Sequence, residues 1–385
     1  MKITVAKQDL EAALAVVSNS ISSGGNDIHS HYVFRVEEDD AQQPFVSVLT
    51  SSGRMFSGCT VKAAKVDDFE DPTMFTIEGK RLKLLLPHVG EPSVLVFDYD
   101  ADTKVVTVKT KSTTPEFQSL DAQTFKLWDD ALKDATLACT MPATRLLAAV
   151  SYSSGFVSDQ EGNSPNLCVL EARDGVIYST DKRAATLVKV DGIEESALRV
   201  HGKDASSAVA FLTLCGDSNV EVWEGDKTQF LVRPEDGALF GTARFLARFP
   251  DIGISMDDED QHQWLLSRPE IIRGIGVLNA AAALEDNRLR VRKVDGGVVM
   301  SMRAMTGKVI DFPVECIESE SADDATDLPP NGFTLDHQCL SKVLKSWTGD
   351  TIRFGINVKK NGGFCRFLNE TEGNTFLSIV AWSGK

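Results

Sequence analysis

A pattern of one helix followed by strands recurs three times along this chain of 385 residues. Each copy opens with an amphipathic helix that follows a short strand, and successive copies start about 130 residues apart. In the first copy Leu10, Ala13, Leu14 and Val17 follow the spacing of a core-facing helical stripe. A repeat of this period favours several similar modules over one large core. The three helices are predicted at residues 7–21, 142–156 and 268–282.

Each third of the chain also contains a second amphipathic helix, predicted at residues 79–89, 202–216 and 335–349. Glycines at positions 90, 216 and 349 suit the carboxyl ends of these helices. Alternating apolar and polar runs between the helices predict strands. The expected fold class is therefore α+β, with three similar domains bounded at 1–133, 134–258 and 259–385.

Charge is distributed unevenly between the predicted helices and the predicted loops. The chain has 56 acidic and 40 basic residues, a net charge of −16, yet its acidic runs lie mostly in apparent loops such as 255–260 and 318–324. Basic residues on helices in all three modules would suit a phosphate backbone, without readout of bases. For any single helix, a solvated face is the simpler interpretation. The candidate DNA-facing residues are Lys7, Lys80, Arg81, Lys83, Arg145, Lys203, Arg268, Arg273, Lys342 and Lys345.

The sequence has no recognisable catalytic, nucleotide-binding or metal-binding motif. The six histidines are dispersed, and the seven cysteines include no CxxC pair. We therefore expect no enzyme, no cofactor and no metal, and reduced cysteines in a cytoplasmic protein. Asp181 and Asp251 are the candidate carboxylates for hydrolysis, but turn and capping roles explain them better. No apolar run is long enough to predict a membrane span, and no secretory signal is recognised.

One segment resembles a known family closely enough to be informative. The run GALFGTARFLARFPDI at 237–252 resembles the strand, basic turn and RFPD-type segment that closes the middle domain of bacterial sliding clamps, the β subunit of the replicative DNA polymerase. The runs MKITVAKQDLEAAL at the amino terminus and YSTDKRAATLV at 178–188 are similar to further clamp segments, and PEFQSLDAQTFKLW at 115–128 is a weaker counterpart of the first. The turn lacks the usual Gly-His step and the carboxyl end differs, which is consistent with a divergent, phage- or plasmid-encoded relative.

The resemblance implies a DNA clamp fold, with two inner helices and outer antiparallel sheets in each domain. It also implies a head-to-tail homodimeric ring that encircles duplex DNA and serves as a processivity factor. The implied partners are the replicative DNA polymerase, a clamp-loader ATPase and other clamp-binding replication or repair proteins. The alternative is a monomeric DNA-binding or decoy protein that keeps the fold without forming the ring.

Two protein-binding surfaces follow from the resemblance. Ring closure would use the run KVVTVKTK at 104–111 as an edge strand against a helix end of the partner subunit, although a solvent-exposed edge guarded by lysines is the alternative. The implied interface residues are Lys104, Val106, Val108, Phe117, Ala281 and Ala282. A pocket for partner peptides would involve residues that are otherwise explained as interdomain core, namely Pro165, Thr180, Arg183, Pro250, Ile254, Leu377, Ile379 and Ala381.

Overall fold

The computed structural model describes the whole chain except residues 23–26, 40, 62–63, 69–71, 90–93, 112, 159–161, 163, 248, 253–255, 257, 283–286, 348, 360–361, 372 and 384–385. Its α-helices are α1 (Lys7–Val17), α2 (Gly79–Leu85), α3 (Asp129–Lys133), α4 (Ala143–Ser154), α5 (Gly202–Cys215), α6 (Arg268–Ala281) and α7 (His337–Ser346). All six helices expected from the sequence are present. The short α3 was not anticipated.

The strands are, in chain order, β1 (Lys2–Ala6), β2 (His31–Glu38), β3 (Pro44–Ser51), β4 (Met55–Thr60), β5 (Lys65–Asp67), β6 (Thr73–Glu78), β7 (Val94–Asp100), β8 (Val105–Lys109), β9 (Glu116–Gln118), β10 (Thr136–Pro142), β11 (Val169–Arg173), β12 (Val176–Thr180), β13 (Ala184–Val190), β14 (Arg199–His201), β15 (Asn219–Glu224), β16 (Thr228–Arg233), β17 (Ala238–Ala243), β18 (His262–Ser267), β19 (Arg288–Val294), β20 (Gly297–Arg303), β21 (Val309–Ser321), β22 (Phe333–Asp336), β23 (Thr351–Lys359), β24 (Gly362–Thr371) and β25 (Asn374–Ser383). The acidic run at 318–324 was expected to be a loop, but its first four residues continue β21.

The chain forms two compact units, the first of which contains Met1–Leu147 and Glu195–Phe245. One of its sheets has the strand order β5-β1-β7-β8-β9, and the other has the order β10-β15-β16-β17-β4-β3-β2-β6. Phe34 stacks on Phe75 with ring centroids 4.9 Å apart, and Phe97 lies 5.3 Å from Phe34. The first unit is therefore held together by an aromatic core between its strands.

The second unit contains Ala148–Glu194 and Leu246–Lys385. Its strands run in the order β11-β12-β13-β25-β22-β19-β20-β21-β18-β23-β24, with β24 also paired to β25. Phe333 packs between two tryptophans, 6.1 Å from Trp264 and 5.0 Å from Trp382 between ring centroids. All three side chains are buried, so this cluster anchors the core of the second unit.

Helices α6 and α7 of the second unit begin where the sequence supplies a capping acceptor. The Asp336 carboxylate accepts hydrogen bonds from the backbone N–H groups of Gln338 and Cys339 at the start of α7. The Ser267 hydroxyl accepts from the N–H of Glu270 at the start of α6. Side chains of this kind satisfy donors that a helix leaves unpaired, which explains why the helices start at these positions.

Each unit contains a strand pairing that links two of the predicted domains. Strand β17, at the end of the second predicted domain, pairs antiparallel with β4 of the first. In the same way β25, at the end of the third predicted domain, pairs with β13 of the second. The second predicted domain is therefore divided between the two compact units, and the three domain boundaries remain a prediction.

Candidate nucleic-acid interface

Helix α2 presents the most open cluster of basic side chains that the sequence predicted. Lys80, Arg81 and Lys83 are all exposed, while Leu82 between them is fully buried. Arg81 forms an ion pair with Glu78 at 2.6 Å, with both side chains on the surface side of the helix start. Because the helix turns its leucine inward, the neighbouring cations are left available to an anionic partner.

Helices α1 and α5 each carry a single predicted cation near their amino end. Lys7 lies 3.8 Å from Glu11, one helical turn later, and is only partly exposed. Lys203 is exposed, and its N–H donates to the Nδ1 atom of His201 at 3.1 Å. An i, i+4 ion pair near the surface contributes little to stability, so the Lys7–Glu11 pair does not by itself explain a lysine at position 7.

Two of the predicted cations are engaged within the second unit. Arg268 donates from Nε to the carbonyl of Leu344 at 2.9 Å, near the carboxyl end of α7. Lys342 lies 3.1 Å from the carboxylate of Asp181 and over the ring of Phe156. Their contacts favour a structural role, because each tethers one element of this unit to another. That they face DNA remains a prediction.

The remaining predicted cations differ in exposure. Arg273 on α6 is two-thirds exposed, lies 3.4 Å from Glu270 and covers the ring of Phe312. Lys345 on α7 is exposed, whereas Arg145 on α4 is half-buried. Among the described candidates, the exposed ones are Lys80, Arg81, Lys83, Lys203, Arg273 and Lys345.

The predicted edge strand is not the outermost strand of its sheet. Strand β8 pairs with β7 on one side, and short β9 covers its other side through Val105, Val106 and Thr107. The side chains of Val106 and Val108 are fully buried in their own unit. These two side chains therefore belong to the core, and β9, the last strand of this sheet, is the strand placed to meet a partner. The short β9 run was missed as a strand because three residues are too few for a periodicity signal.

Phe117 and Lys104 occupy the same end of this sheet. Phe117 lies on β9 opposite Val106 and is mostly buried. Lys104 is exposed with a positive φ of 54°, and its carbonyl accepts from the N–H of Ser119 at 2.8 Å. Lys104 thus shapes the turn that leads into β8, in addition to any contact with a partner.

In the second unit, the first half of β21 has a described strand partner on one side only. Residues 309–315 pair with β20, whereas the pairing with β18 is described only from Cys316 onward. Pro313 lies within this half, as expected of an edge strand, because proline cannot donate to a second neighbour. Val309 and Met305 nearby are each about two-thirds exposed. This apolar edge was not singled out by the sequence, although Pro313 was a usable signal.

Ala281 and Ala282 lie beside the start of that edge. Ala282 forms an isolated bridge with Ala304, and the carbonyl of Ala281 accepts from the N–H of Met305 at 3.3 Å. Ala282 is buried and Ala281 is half-buried. The end of α6 is therefore attached to the β20–β21 turn, so a partner that meets one would also meet the other.

Several residues of the predicted peptide pocket share one face of the second unit. Thr180, Ala185 and Ile379 occupy one row across β12, β13 and β25, and Leu187 and Leu377 occupy the next such row on β13 and β25. The pocket residues Thr180, Leu377 and Ile379 are all buried. Partly buried Ile252 and Met256 pack against the same apolar cluster. The cluster thus forms the floor of any groove here, and its rim must come from more exposed residues.

Exposed members of the predicted pocket are candidates for that rim. Arg183 forms an ion pair with Asp336 at 2.9 Å, and its carbonyl accepts from the N–H of exposed Ala381 at 3.0 Å. Pro250 is half-buried and follows Phe249, whose ring lies 5.9 Å from that of Tyr178. Pro165 is exposed at the start of a 3₁₀ turn. Ile254 lies outside the described residues.

The described residues contain no group of three or more His, Cys, Asp or Glu side chains that could hold a metal. Burial raises the pKa of Cys215 to about 11 and that of Cys339 to about 12, so neither is poised as a nucleophile. Among the helices described, none is long and apolar enough to cross a bilayer.

Searches by sequence and by structure gave very different results. No family model and no curated protein matches this sequence. The structure, by contrast, matches solved sliding clamps over 99% of this chain. The β subunit of DNA polymerase III from Pseudomonas aeruginosa matches with a TM-score of 0.82, 14% identity and 99% of its own chain covered. The sliding clamp from Bacillus subtilis gives 0.81, 15% and 98%, and the β subunit from Thermotoga maritima gives 0.79, 14% and 98%. The chain therefore has the fold of the DNA polymerase III β-subunit sliding clamps, at a sequence identity low enough to mark it as divergent.

Proposed function

We propose that this protein is a DNA sliding clamp, a non-catalytic processivity factor that encircles duplex DNA as a homodimer and tethers a replicative polymerase to it. The observation that carries the proposal is the structural match to solved sliding clamps, which covers 99% of this chain and 98% or more of each matched chain. In this proposal the chain is loaded by a separate ATPase, because its sequence has no phosphate-binding loop. The cytoplasm, where chromosomal or phage DNA is replicated, is the expected compartment.

Weak, mobile attachment to DNA is consistent with the charge distribution. The chain has a net charge of −16, yet α2 presents Lys80, Arg81 and Lys83 to solvent. Sparse cations on an acidic body give nonspecific attraction that salt weakens, which allows sliding. Retention then comes from encirclement, so tight binding is not needed.

Strand pairings within the chain suggest how the ring closes. The last strand of the second predicted domain pairs with β4 of the first, and the last strand of the third pairs with β13 of the second. The strand in the matching place of the first domain is β9, and in the third domain the stretch of β21 between Val309 and Glu315 has no second neighbour among the described strand pairings. We therefore assign ring closure to β9 of one subunit and the first half of β21 of the other. A head-to-tail contact of this kind closes when the rotation per domain is suitable.

This assignment revises the interface that the sequence suggested. The backbone of β9 replaces the side chains of Val106 and Val108 as the contact element, because those two side chains are buried. Exposed Met305 and half-buried Ala281 lie beside the β21 edge and would be covered by the partner subunit. Covering this edge would also remove an aggregation-prone strand from solvent.

The experiment that tests the function measures whether the protein is retained on DNA because it encircles the duplex. The protein is loaded with a clamp loader onto nicked circular DNA, and retention is compared after the circle is linearised. A sliding clamp stays on the circle at moderate salt and runs off the linear ends, and negative-stain class averages show a closed six-lobed ring. Equal retention on both forms, with three-lobed monomers in the micrographs, would instead identify a monomeric DNA-binding protein with a clamp fold.

A further inference from the structure

Each compact unit contains one junction between two predicted domains, and an ion pair of the same kind crosses both junctions. In the first unit Arg54, the residue before β4, lies 2.6 Å from the carboxylate of Asp204 near the start of α5. In the second unit Arg183, the residue before β13, lies 2.9 Å from the carboxylate of Asp336, which directly precedes α7. At each junction, an arginine of one domain therefore meets an aspartate at the start of the second helix of the next domain.

The backbone around the two arginines is also repeated. The carbonyl of Arg54 accepts a hydrogen bond from the N–H of Ala243 in β17 at 2.9 Å. The carbonyl of Arg183 accepts from the N–H of Ala381 in β25 at 3.0 Å. Strands β17 and β25 are the ones that pair with β4 and β13 across the junctions, so the two arginines occupy equivalent places. The ion pair is therefore a feature of the domain repeat.

A head-to-tail ring adds a third kind of junction, between the third domain of one subunit and the first domain of the other. Lys308 is exposed and directly precedes β21, as Arg54 precedes β4 and Arg183 precedes β13. Glu78 is the last residue of β6 and directly precedes α2, as Asp336 ends β22 and precedes α7. The chain thus carries a cation at one of the two ends that ring closure would join, and a carboxylate at the other.

Glu78 also lies beside the strand that we assign to ring closure. Together with Arg81 it lines a cavity of about 230 Å³ to which Phe117 and Gln118 of β9 contribute. Glu78 is partly exposed and lies 2.6 Å from Arg81. A carboxylate has two oxygens and can accept from a second cation, so this pair does not prevent a contact with a partner subunit. The cavity gives the turn before the partner's β21 a place next to this carboxylate.

We propose, resting on the ring described under the proposed function, that Lys308 of one subunit forms an ion pair with Glu78 of the partner subunit at both closing junctions. A surface ion pair contributes little affinity by itself, so its main effect is on which ends join. Opposite charges meet only when the third domain of one subunit faces the first domain of the other. Like ends would bring equal charges together, and the pair therefore selects the head-to-tail arrangement.

The turn before β21 differs from its two counterparts in length. It is closed by a hydrogen bond from the N–H of Ala304 to the carbonyl of Lys308 at 2.7 Å, and this bond spans one residue more than the bond from Ser52 to Met55 that closes the turn before β4. The longer turn places the cation one position later. The flexible stem of lysine suits such a position better than the rigid guanidinium fork of the two arginines, because it tolerates a less exact placement.

Charge reversal tests the pair, with dimerisation of the intact chain measured by sedimentation velocity in the absence of DNA. Lys308→Glu places two carboxylates at each closing junction, and Glu78→Lys places two lysines there. Each variant alone should dimerise at least about tenfold more weakly than the wild-type chain, because both junctions of the ring contain like charges. An equimolar mixture of the two variants should recover wild-type affinity, because both junctions of a mixed ring contain opposite charges. An affinity tag on one variant lets native mass spectrometry distinguish the mixed ring from the homodimers.

Two exposed positions away from the closing junction supply matched controls. Lys189 lies on β13, a strand that ring closure does not use, and Glu38 lies at the end of β2 that is distant from Glu78. Neither Lys189→Glu nor Glu38→Lys should change the dimer affinity by more than about twofold. Circular dichroism melts of all four variants check that each one folds.

Two results would overturn the pair while leaving the sliding-clamp function in place. One is wild-type dimerisation of both reversed variants, and the other is a mixture that dimerises no better than its components, in each case with a wild-type chain that forms rings. A wild-type chain that stays monomeric at every concentration would contradict the ring itself, and the ion pair with it. Failure of the pair and failure of the proposed function are therefore distinguishable.

Discussion

Arg54 and Asp204 form an ion pair of 2.6 Å between Nη2 and Oδ1, in which the Asp204 carboxylate is completely buried and the arginine is partly exposed. Thr242 donates to the other carboxylate oxygen at 3.0 Å. Arg54 belongs to the first predicted domain, while Asp204 and Thr242 belong to the second. The pair therefore ties these two domains together beside the β17–β4 pairing.

Removing one partner of this pair should destabilise the folded protein more than removing the charge of both partners. Arg54→Met leaves a buried, uncompensated carboxylate, and we expect it to lower the free energy of unfolding by about 3 kcal/mol. The double variant Arg54→Met/Asp204→Asn should recover most of that loss, because the introduced amide is neutral and its oxygen can still accept from Thr242. Urea denaturation of the two variants measures the difference. Equal destabilisation in both would show that buried charge is not the cause.

Neutralising the exposed cations of α2 should weaken attachment to DNA without affecting assembly. Lys80→Ala/Lys83→Ala removes two charges, so the salt concentration at which the loaded protein leaves circular DNA should fall. The control is Lys126→Ala/Lys133→Ala, which removes two exposed lysines from a segment without predicted DNA contact. Retention on circular DNA is measured over a series of salt concentrations for both double variants. Identical retention curves for the two variants would contradict the assignment of α2 to the DNA-facing surface.

A charge at the proposed ring-closing edge should open the ring. Met305→Glu places a carboxylate where an apolar side chain is about two-thirds exposed and would be covered by the partner. Native mass spectrometry should then report a species near 42 kDa, in place of one with twice that mass. Leu137→Glu, at an exposed apolar position on β10 in the other compact unit, should leave the dimer intact. An unaltered dimer in Met305→Glu would place closure elsewhere.

The peptide groove is best tested at its rim. Leu377 is 0% exposed and Ile379 is 4% exposed, so an aspartate at either position would unfold the sheet and would say nothing about binding. Ala381→Asp instead places the charge at an exposed position hydrogen-bonded to the Arg183 turn. We expect loss of processive synthesis in primer-extension assays, with a normal melting temperature. The control Ala41→Asp, on an exposed turn, should support processive synthesis fully. Normal synthesis with the Ala381→Asp variant would show that the peptide groove does not lie on this face.

Alkaline conditions should destabilise the fold through its buried thiols. Burial raises the pKa of Cys339 to about 12 and that of Cys215 to about 11, whereas an unfolded thiol ionises near pH 9. Above pH 9 the unfolded chain releases protons that the folded chain keeps, so stability is complete below pH 9 and falls as pH rises toward the folded pKa values. The expected slope is about 1.4 kcal/mol per pH unit for each group. Urea midpoints at pH 8 and pH 10 test it, and Cys339→Ala should flatten the dependence.

The sequence was sufficient to locate six of the helices of this fold and some of the strands between them. The stripe of Leu10, Ala13, Leu14 and Val17 predicted α1, and the structure buries all four side chains. The short run that closes the second predicted domain carried the family resemblance, and the clamp fold was confirmed by the structural matches. These features are local, because a helix or strand leaves its periodicity in consecutive residues.

The tertiary structure alone decided which of the predicted site residues are available. The sequence predicted that Val106 and Lys109 both lie on an exposed edge strand. In the structure β9 pairs with one side of that strand, and Val106 is buried. The sequence predicted that Arg268 and Lys342 face DNA, as it did for Lys83. In the structure Arg268 donates to the Leu344 carbonyl and Lys342 forms an ion pair with Asp181, and both acceptors are distant in sequence. Sequence spacing records what one element does by itself, whereas burial, pairing and charge compensation depend on neighbours that only folding supplies.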